Sequence, residues 1–343
     1  MNTIRTTIFL SLFLSPTSLL FSQETRSSLV IGWWNVENLF DTVNDPDPNP
    51  EFGSDDEFTP NGKKQWTEER YQQKLKNLAT VIRMIKVEWG LDILGVCEVE
   101  HKHVLEDLLR DYLSDLHLRV VYHESPDSRG IDVAFLYDTT TVTSLQTGYR
   151  TVPMPSRPTR DIIFAEFSSA YGPFVVIGNH WPSRSGGEEE SRPNRIRAAQ
   201  TCRALVDSIL ENSGSARIVL VGDFNDTPVD VSVTQYLRAT GDRTAISDDP
   251  FRLYNCMTTI HGDSVGSYNY RGKWEMIDQG MVSSTLMNGP QLYFSSAEVF
   301  RRDMLLEPSG PYAGSPLRTY GGNKYLGGYS DHLAIVLRFA GRK

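Results

Sequence analysis

The sequence predicts an α/β fold of two packed, mixed β-sheets with helices on the outer faces. Three observations lead there. β-like runs outnumber helical ones, several neighbouring runs are spaced like antiparallel meanders, and helices interrupt them only at long intervals. No linker-like break divides the chain, so residues 23–343 are expected to form one domain.

The first strand centres on Trp34-Asn35-Val36-Glu37. Residues 41–61 are rich in Asp, Pro, Asn and Gly and read as a long acidic loop. Asp45, Asp47, Asp55 and Asp56 invite a calcium-loop reading, but their irregular spacing and the prolines favour a solvated loop. Over residues 67–87, Tyr71, Leu75, Leu78, Ile82 and Ile85 recur on one helical face. A strand over 91–97 precedes a helix over 104–116. Residues 118–122, 131–137, 161–167 and 174–179 read as further strands. A helix over 195–210 buries Ala198, Cys202, Leu205 and Ile209. A strand over 218–221, a helix over 231–239 and strands over 268–270, 276–282 and 333–338 complete the order.

The chain has 343 residues, 39% of them hydrophobic, enough for a sizeable core. Residues 1–22 read as a secretory signal. Arg5 opens it, an apolar stretch follows over 8–21, and Ser22 is a small residue before the cut. That stretch is shorter than the roughly 20 residues of a membrane span, and Pro16 interrupts it. An exported protein, periplasmic or secreted, with no stable membrane anchor is therefore expected, and a monomer. The net charge of −9 argues against a general polyanion-coating protein and leaves room for a local basic cleft. Cys97 and Cys202 read as small core residues and Cys256 as a loop residue, so at most one disulfide can form.

Five segments place polar groups beside apolar β-like runs. They are Trp34-Asn35-Val36-Glu37, Val96-Cys97-Glu98, Gly178-Asn179-His180, Gly222-Asp223-Phe224-Asn225 and Ser330-Asp331-His332. Glu98 ends a buried strand, where a lone charge is costly. A metal compensates it, or a hydrogen-bonding amide does. Magnesium suits such a place, because it takes one or two carboxylates, substrate phosphate and water. Asp223 and Asn225 point to one side of a turn that Gly222 permits, with Phe224 on the other. An Asx-turn is the plainer reading. Asp278 is a strand-embedded acid in need of a partner, and His332 would supply one. Arg184, Arg195 and Arg197 surround a helix start, which makes either an anion site or salt bridges with Glu188, Glu189 and Glu190. Arg129 and Arg318 lie in polar loops and are weaker candidates. Trp181, Trp274, Tyr320, Tyr325 and Tyr329 are candidates for stacking on bases, although core packing is the commoner role. There is no Gly-x-Ser-x-Gly elbow, no P-loop and no His-Glu-x-x-His.

Taken in order from Trp33 to Phe339, these segments resemble the endonuclease/exonuclease/phosphatase superfamily, which includes deoxyribonuclease I. Within it the chain is most similar to exported bacterial members. The resemblance implies a deoxyribonuclease I-like four-layer sandwich and divalent-metal-dependent hydrolysis of phosphate esters. It assigns His180, Asp223, Asn225, Asp278 and His332 to catalysis, and Asn35, Glu98 and Asp331 to the metal. Glu37 falls where the family often carries an acid, and is placed with Arg184 and Arg195 on the substrate side. The implied cofactor is Mg2+, with Mn2+ or Ca2+ as substitutes. The implied substrate is nucleic acid or another phosphoester, and small phosphoesters or phospholipid head groups are the alternative. A non-catalytic binding protein on the same fold is a third reading, disfavoured by the complete residue set.

Overall fold

Alternation along the first strand, β1 (Leu29–Leu39), sets the layering. Leu29, Ile31 and Trp33 face one apolar cluster, whereas Val30, Trp34 and Val36 face another. Both sets are buried, so the strand is covered on two sides. In β2 (Ile93–Val99), Ile93 and Cys97 likewise turn to the first cluster and Leu94 and Val96 to the second. Helices α1 (Glu68–Trp89) and α2 (Lys102–Tyr112) cover that second cluster.

The computed structural model describes residues 29–45, 55–262 and 264–341. The expected signal at 1–22 and part of the acidic loop lie outside the described residues. The chain continues through β3 (Leu118–Tyr122), β4 (Asp132–Asp138), β5 (Thr143–Arg150), β6 (Ile162–Ser169) and β7 (Gly172–His180). Then come α3 (Glu188–Asn212), β8 (Ile218–Asp223), β9 (Ala239–Thr240), α4 (Arg243–Asp248) and β10 (Leu253–Asn255). A hairpin of β11 (Tyr268–Tyr270) and β12 (Lys273–Glu275) precedes β13 (Asp278–Ser283) and α5 (Ser284–Met287). The order closes with β14 (Leu292–Val299), β15 (Tyr320–Gly321), β16 (Lys324–Tyr325) and β17 (Ile335–Gly341).

One sheet runs β14-β17-β1-β2-β4-β3, and the other β5-β6-β7-β8-β13-β10-β9. Each has a parallel pair at its centre, β1 with β2 and β7 with β8, joined by the crossovers that contain α1 and α3. Val219 and Val221 meet the first sheet in the shared middle cluster, while Ile218 and Leu220 turn to α3. Three apolar clusters thus separate four layers, the sandwich predicted from the sequence. Because both central pairs are parallel, their carboxyl ends reach one rim. The antiparallel β13 and β17 start at that same rim.

Several local expectations differ. Strand β5 is a polar edge strand with few buried positions, which is why no apolar alternation marks it. β14 is also additional. The helix expected over 231–239 is one π-helical turn, Ser232–Tyr236, followed by the short β9. Helix α3 begins ahead of residue 195, with Glu188, Glu189 and Glu190 in its first turn, where acids suit the dipole. Cys97, Cys202 and Cys256 are all free and buried, so the stability rests on the core. Among the described residues no helix is long and apolar enough to cross a membrane.

Candidate active site

Strand pairing sets three titratable groups in a row. His180 pairs with Asp223 across β7 and β8, and Asp223 pairs with Asp278 across β8 and β13. All three are buried. Gly222 allows the strands to approach, because a Cβ there would stand 2.7 Å from the Asn179 Cβ. Its role is therefore close packing, and the left-handed turn residue is Asn225 at φ 50°. Phe224 packs edge-on against Trp181, as the Gly-Asp-Phe-Asn alternation predicts. The Asn225 amide N–H donates to Asp223 Oδ1 at 2.9 Å, and its side-chain Nδ2 donates to the Trp181 carbonyl at 2.9 Å.

His332 closes the row from the other sheet. Its Nδ1 lies 2.6 Å from Asp278 Oδ2, the partnership expected from sequence. Trp33 Nε1 donates to Asp278 Oδ1 at 2.9 Å, so both carboxylate oxygens are engaged. The Ser267 hydroxyl accepts the Asp278 N–H, and Trp34 Nε1 donates to the His332 carbonyl. Ser330 donates to the Asn35 carbonyl and accepts the His332 N–H, which fixes the tail against β1. The Nε2 of His332 faces the cleft, 4.0 Å from Asp223 Oδ2 and 3.9 Å from Asp331 Oδ1.

Burial first, then the charge of Asp278, pushes Asp223 up to about 7. Burial opposes charge on His332, but Asp278, Asp331 and Asp223 outweigh it and hold the imidazole well above its ordinary value. His180 goes the other way. Burial, then Arg160 and Arg129, hold it well below its ordinary value, so it is a neutral ring. Its Nε2 lies 3.7 Å from Asp223 and 3.9 Å from Glu98, and its buried Nδ1 has no partner among the described residues. The two histidines are therefore in opposite charge states, a pattern that separates an acid from a neutral hydrogen-bond donor.

The first sheet contributes the carboxylates suited to a cation. β1 and β2 both shift register at their ends, and Glu37, Asn38 and Glu98 adopt left-handed φ values of 55°, 50° and 64°. These irregularities turn Glu98 toward the cleft, where Oε2 accepts the Asn38 N–H at 3.0 Å. Asp331 stands beside Arg318 at 3.7 Å. Its carboxyl is raised by burial, with His332 opposing. Glu98 on the cleft wall and Asp331, close enough to feel its charge, supply hard carboxylate oxygens of the kind Mg2+ takes with water and phosphate, so these residues fit the ion.

Two expectations need correction, and a third residue is occupied in a further way. The Oδ1 of Asn35, expected as a metal ligand, accepts the Glu37 N–H at 3.0 Å. Its Nδ2 donates to Glu98 at 3.2 Å and Asp223 at 3.1 Å, so it holds the two carboxylates together. Glu37 was placed on the substrate side, but it is buried and accepts the N–H groups of Thr319 and Tyr320. Burial, then Asp331, raises it to about 7. Arg195 was placed on the substrate side as well. Its side chain is 0% exposed and is paired with Asp226 at 2.6 Å, so it does not reach the cleft.

Arg184 does line the cleft, but Asp230, Glu275 and Asp226 lie 3.3, 3.3 and 3.5 Å from it. Arg129, a weaker candidate by sequence, lines the cleft with a carboxylate only at 4.0 Å. Trp181, Trp274 and Tyr320 are buried in the core, and Tyr268 and Tyr270 form the aromatic wall instead. The Tyr268 ring lies 4.7 Å from the His332 ring. Lys74 was missed altogether. It is buried on the apolar face of α1, and its Nζ donates to Thr319 Oγ1 at 2.6 Å and to the Tyr329 carbonyl at 2.8 Å. The cleft bounded by Glu98, Arg129, His180, Asp223, Tyr268 and His332 has a volume of about 540 Å3.

Comparison with known proteins bears on the fold. Solved structures of the same fold include the human nocturnin catalytic domain with bound sulfate, with 14% identity, 92% of this chain and 94% of that one covered, and a TM-score of 0.54. A Bacteroides thetaiotaomicron mannosyl-6-phosphatase gives 14% identity, 91% and 99% coverage, and a TM-score of 0.56. TDP2 from D. rerio, complexed with a single-strand DNA product, gives 13% identity, 91% and 98% coverage, and a TM-score of 0.54. No curated protein matches the chain by sequence. The family model of the endonuclease/exonuclease/phosphatase family matches residues 30–341, nearly the whole described chain, and the protein belongs to that family.

Proposed function

We propose that the protein is an exported, divalent-metal-dependent phosphoesterase that hydrolyses nucleic-acid phosphodiester bonds by in-line attack of water. The observation that carries the reading is the row of His180, Asp223 and Asp278 at one register, with His332 closing it. Asp223, raised into the neutral range, orients the attacking water and takes its proton. His332, charged and anchored by Asp278, donates a proton to the leaving oxygen from Nε2. The neutral His180 directs its Nε2–H at a phosphoryl oxygen as charge builds there. Asn225 holds the turn that presents Asp223, through its backbone N–H and its bond to Trp181. Glu98 and Asp331 would hold the metal, with Asn35 donating to Glu98. When bound there, Mg2+, with Mn2+ or Ca2+ as substitutes, would supply positive charge against the phosphate and the leaving oxygen.

A second reading, hydrolysis of a small phosphoester, is favoured by the net charge of −9 and the limited volume of the cleft. The similar structures divide in the same way, one holding a DNA product and one named for a sugar phosphate. The test is nicking of supercoiled plasmid by residues 23–343 with Mg2+, beside an EDTA control and His332→Ala. Metal-dependent nicking that falls at least ~100-fold in the variant supports the nuclease reading, that being the low end for loss of an acid–base group. Intact plasmid with a protein that binds Mg2+ transfers the reading to small phosphoesters.

A further inference from the structure

Beside the catalytic cleft lies a second pocket of about 520 Å3. The two share a wall, because Tyr268 and Tyr270 line both. Tyr268 is the ring tilted against His332 at 4.7 Å, so the second pocket begins one aromatic ring away from the group assigned to the leaving oxygen. Arg318 lines it and reaches back to Asp331, so the pocket also adjoins the metal side.

Its chemistry differs from that of the cleft. Tyr270 is 52% exposed and Tyr312 is 69% exposed, both on the lining. The Arg271 guanidinium stands 5.1 Å from the Tyr270 ring centroid, and Tyr312 offers an exposed flat face on which a ring can stack. The polar lining is basic. Arg271 and Lys324 form no ion pair among the described residues, and Arg318 is hydrogen-bonded to Tyr268 with Asp331 at 3.7 Å. Glu307 is the one carboxylate on the wall. In a protein with a net charge of −9, three cations against one acid around a single pocket run counter to the average surface. The cations surround a space that holds more than an inorganic phosphate, and the tyrosines give that space ring-sized faces.

We propose that this pocket is a binding subsite for the body of the substrate, and that it takes a ring-bearing phosphoester with a second anionic group. The scissile phosphate lies at Asp223 and His332, the ring passes Tyr268 onto Tyr270 and Tyr312, and the second anion meets Arg271 and Lys324. This rests on the phosphoesterase reading of the neighbouring cleft. A nucleotide unit within a strand and a doubly phosphorylated sugar share this chemistry.

Equilibrium binding separates the subsite from turnover. Isothermal titration with Mg2+ compares thymidine 3′,5′-bisphosphate with thymidine 5′-monophosphate, and glucose 1,6-bisphosphate with glucose 6-phosphate. At least one bisphosphate is expected to bind about tenfold or more tighter than its monophosphate. The pair that shows the gain identifies the ring. In Arg271→Gln with Lys324→Gln, both at exposed positions, that ratio falls toward one. Equal binding of bisphosphates and monophosphates by the unaltered protein overturns the proposal, and so does a ratio that survives the double substitution. Hydrolysis of the same compounds is followed separately. Tighter bisphosphate binding with no hydrolysis of these phosphomonoesters or of the plasmid phosphodiester keeps the subsite and removes the enzymatic reading. Turnover without a bisphosphate preference does the opposite.

Discussion

The two halves of the site are held by different means. On the second sheet, His180, Asp223 and Asp278 stand side by side because three neighbouring strands place them at one register. Ladder hydrogen bonds along β7, β8 and β13 fix that spacing, and no loop is involved. On the first sheet, Glu98 sits at a bulge with left-handed φ, and Asp331 lies in a loop that approaches β17. That half depends on long-range polar contacts. Glu37 accepts from the backbone of Thr319 and Tyr320, Lys74 reaches Thr319 and Tyr329, and Ser330 ties to Asn35. The base side is thus rigid by pairing, and the metal side by a buried ionic and hydrogen-bonded tether. Substitutions on the first side should change chemistry without loosening the fold, whereas those on the second should do both.

The largest effect is expected at Asp223. Asp223→Asn removes the assigned base and should cut turnover about a thousandfold, within the usual range for such a group. Stability should move the opposite way. A folded-state carboxyl raised to about 7 from an ordinary 3.8 binds its proton more tightly folded than unfolded. The native state therefore loses stability as pH rises from about 4 to 7, and the substitution removes that loss. The gain in melting temperature should vanish near pH 4 and grow toward pH 7. A variant uniformly less stable across that window would contradict the assignment.

The activity profile sharpens the same point. Activity requires ionised Asp223, so kcat/KM should fall as pH drops through about 7, not through the ordinary carboxylate range. A stopped assay on a chromogenic phosphodiester measures this directly. A flat profile down to pH 5 would remove Asp223 as the base.

On the tethered half, Lys74→Met is the sharper probe. Burial, opposed by Glu37 and Asp331, lowers the ammonium to about 8, so at neutral pH it is charged. The substitution removes the bonds to Thr319 and Tyr329 and the nearby positive charge that lowers Glu37. Leaving the two buried hydrogen-bond acceptors unpaired costs ~1–3 kcal/mol, read as a shift in the denaturation midpoint. Half-saturation by Mg2+ should also rise, because the same loop carries Asp331. Unchanged stability and Mg2+ dependence would show that the two halves are not held differently.

The same contrast explains what the sequence made legible. The second-sheet motifs are local, since an apolar run followed by Gly-Asp-Phe-Asn or Asn-His reports its own face and end. The pairing of Asp278 with His332 was legible because each is a polar group that needs a partner. The tether was not. Lys74 occupies the apolar face of α1 beside Leu75 and Leu78, and its partner Thr319 is 245 residues away. No periodicity reports such a contact. Trp181, Trp274 and Tyr320 looked like stacking residues because aromatic type alone does not reveal burial. The exposed rings that line the cleft come from the β11–β12 hairpin, whose position depends on the backbone bridge between Tyr268 and His332.

The smallest effect on catalysis is expected at Arg195, whose residue type and position at a helix start suggested an anion site. Its guanidinium is wholly enclosed. It donates to Asp226 at 2.6 Å and to Ser191 Oγ at 2.8 Å, and Asp226 also receives the Ser232 hydroxyl. Arg195→Gln therefore leaves Asp226 buried and short of a cation, at a cost of ~3 kcal/mol or more. Asp226 lies just beyond the Asp223–Asn225 turn, and the Gln279 side chain donates to its carbonyl at 2.6 Å, so strand β13 still supports the turn in the variant. KM per folded molecule should stay within about twofold, because no substrate contact is lost, while the melting temperature falls by several degrees. A large rise in KM with unchanged stability would return Arg195 to the substrate and show that α3, like the first sheet, feeds directly into the cleft.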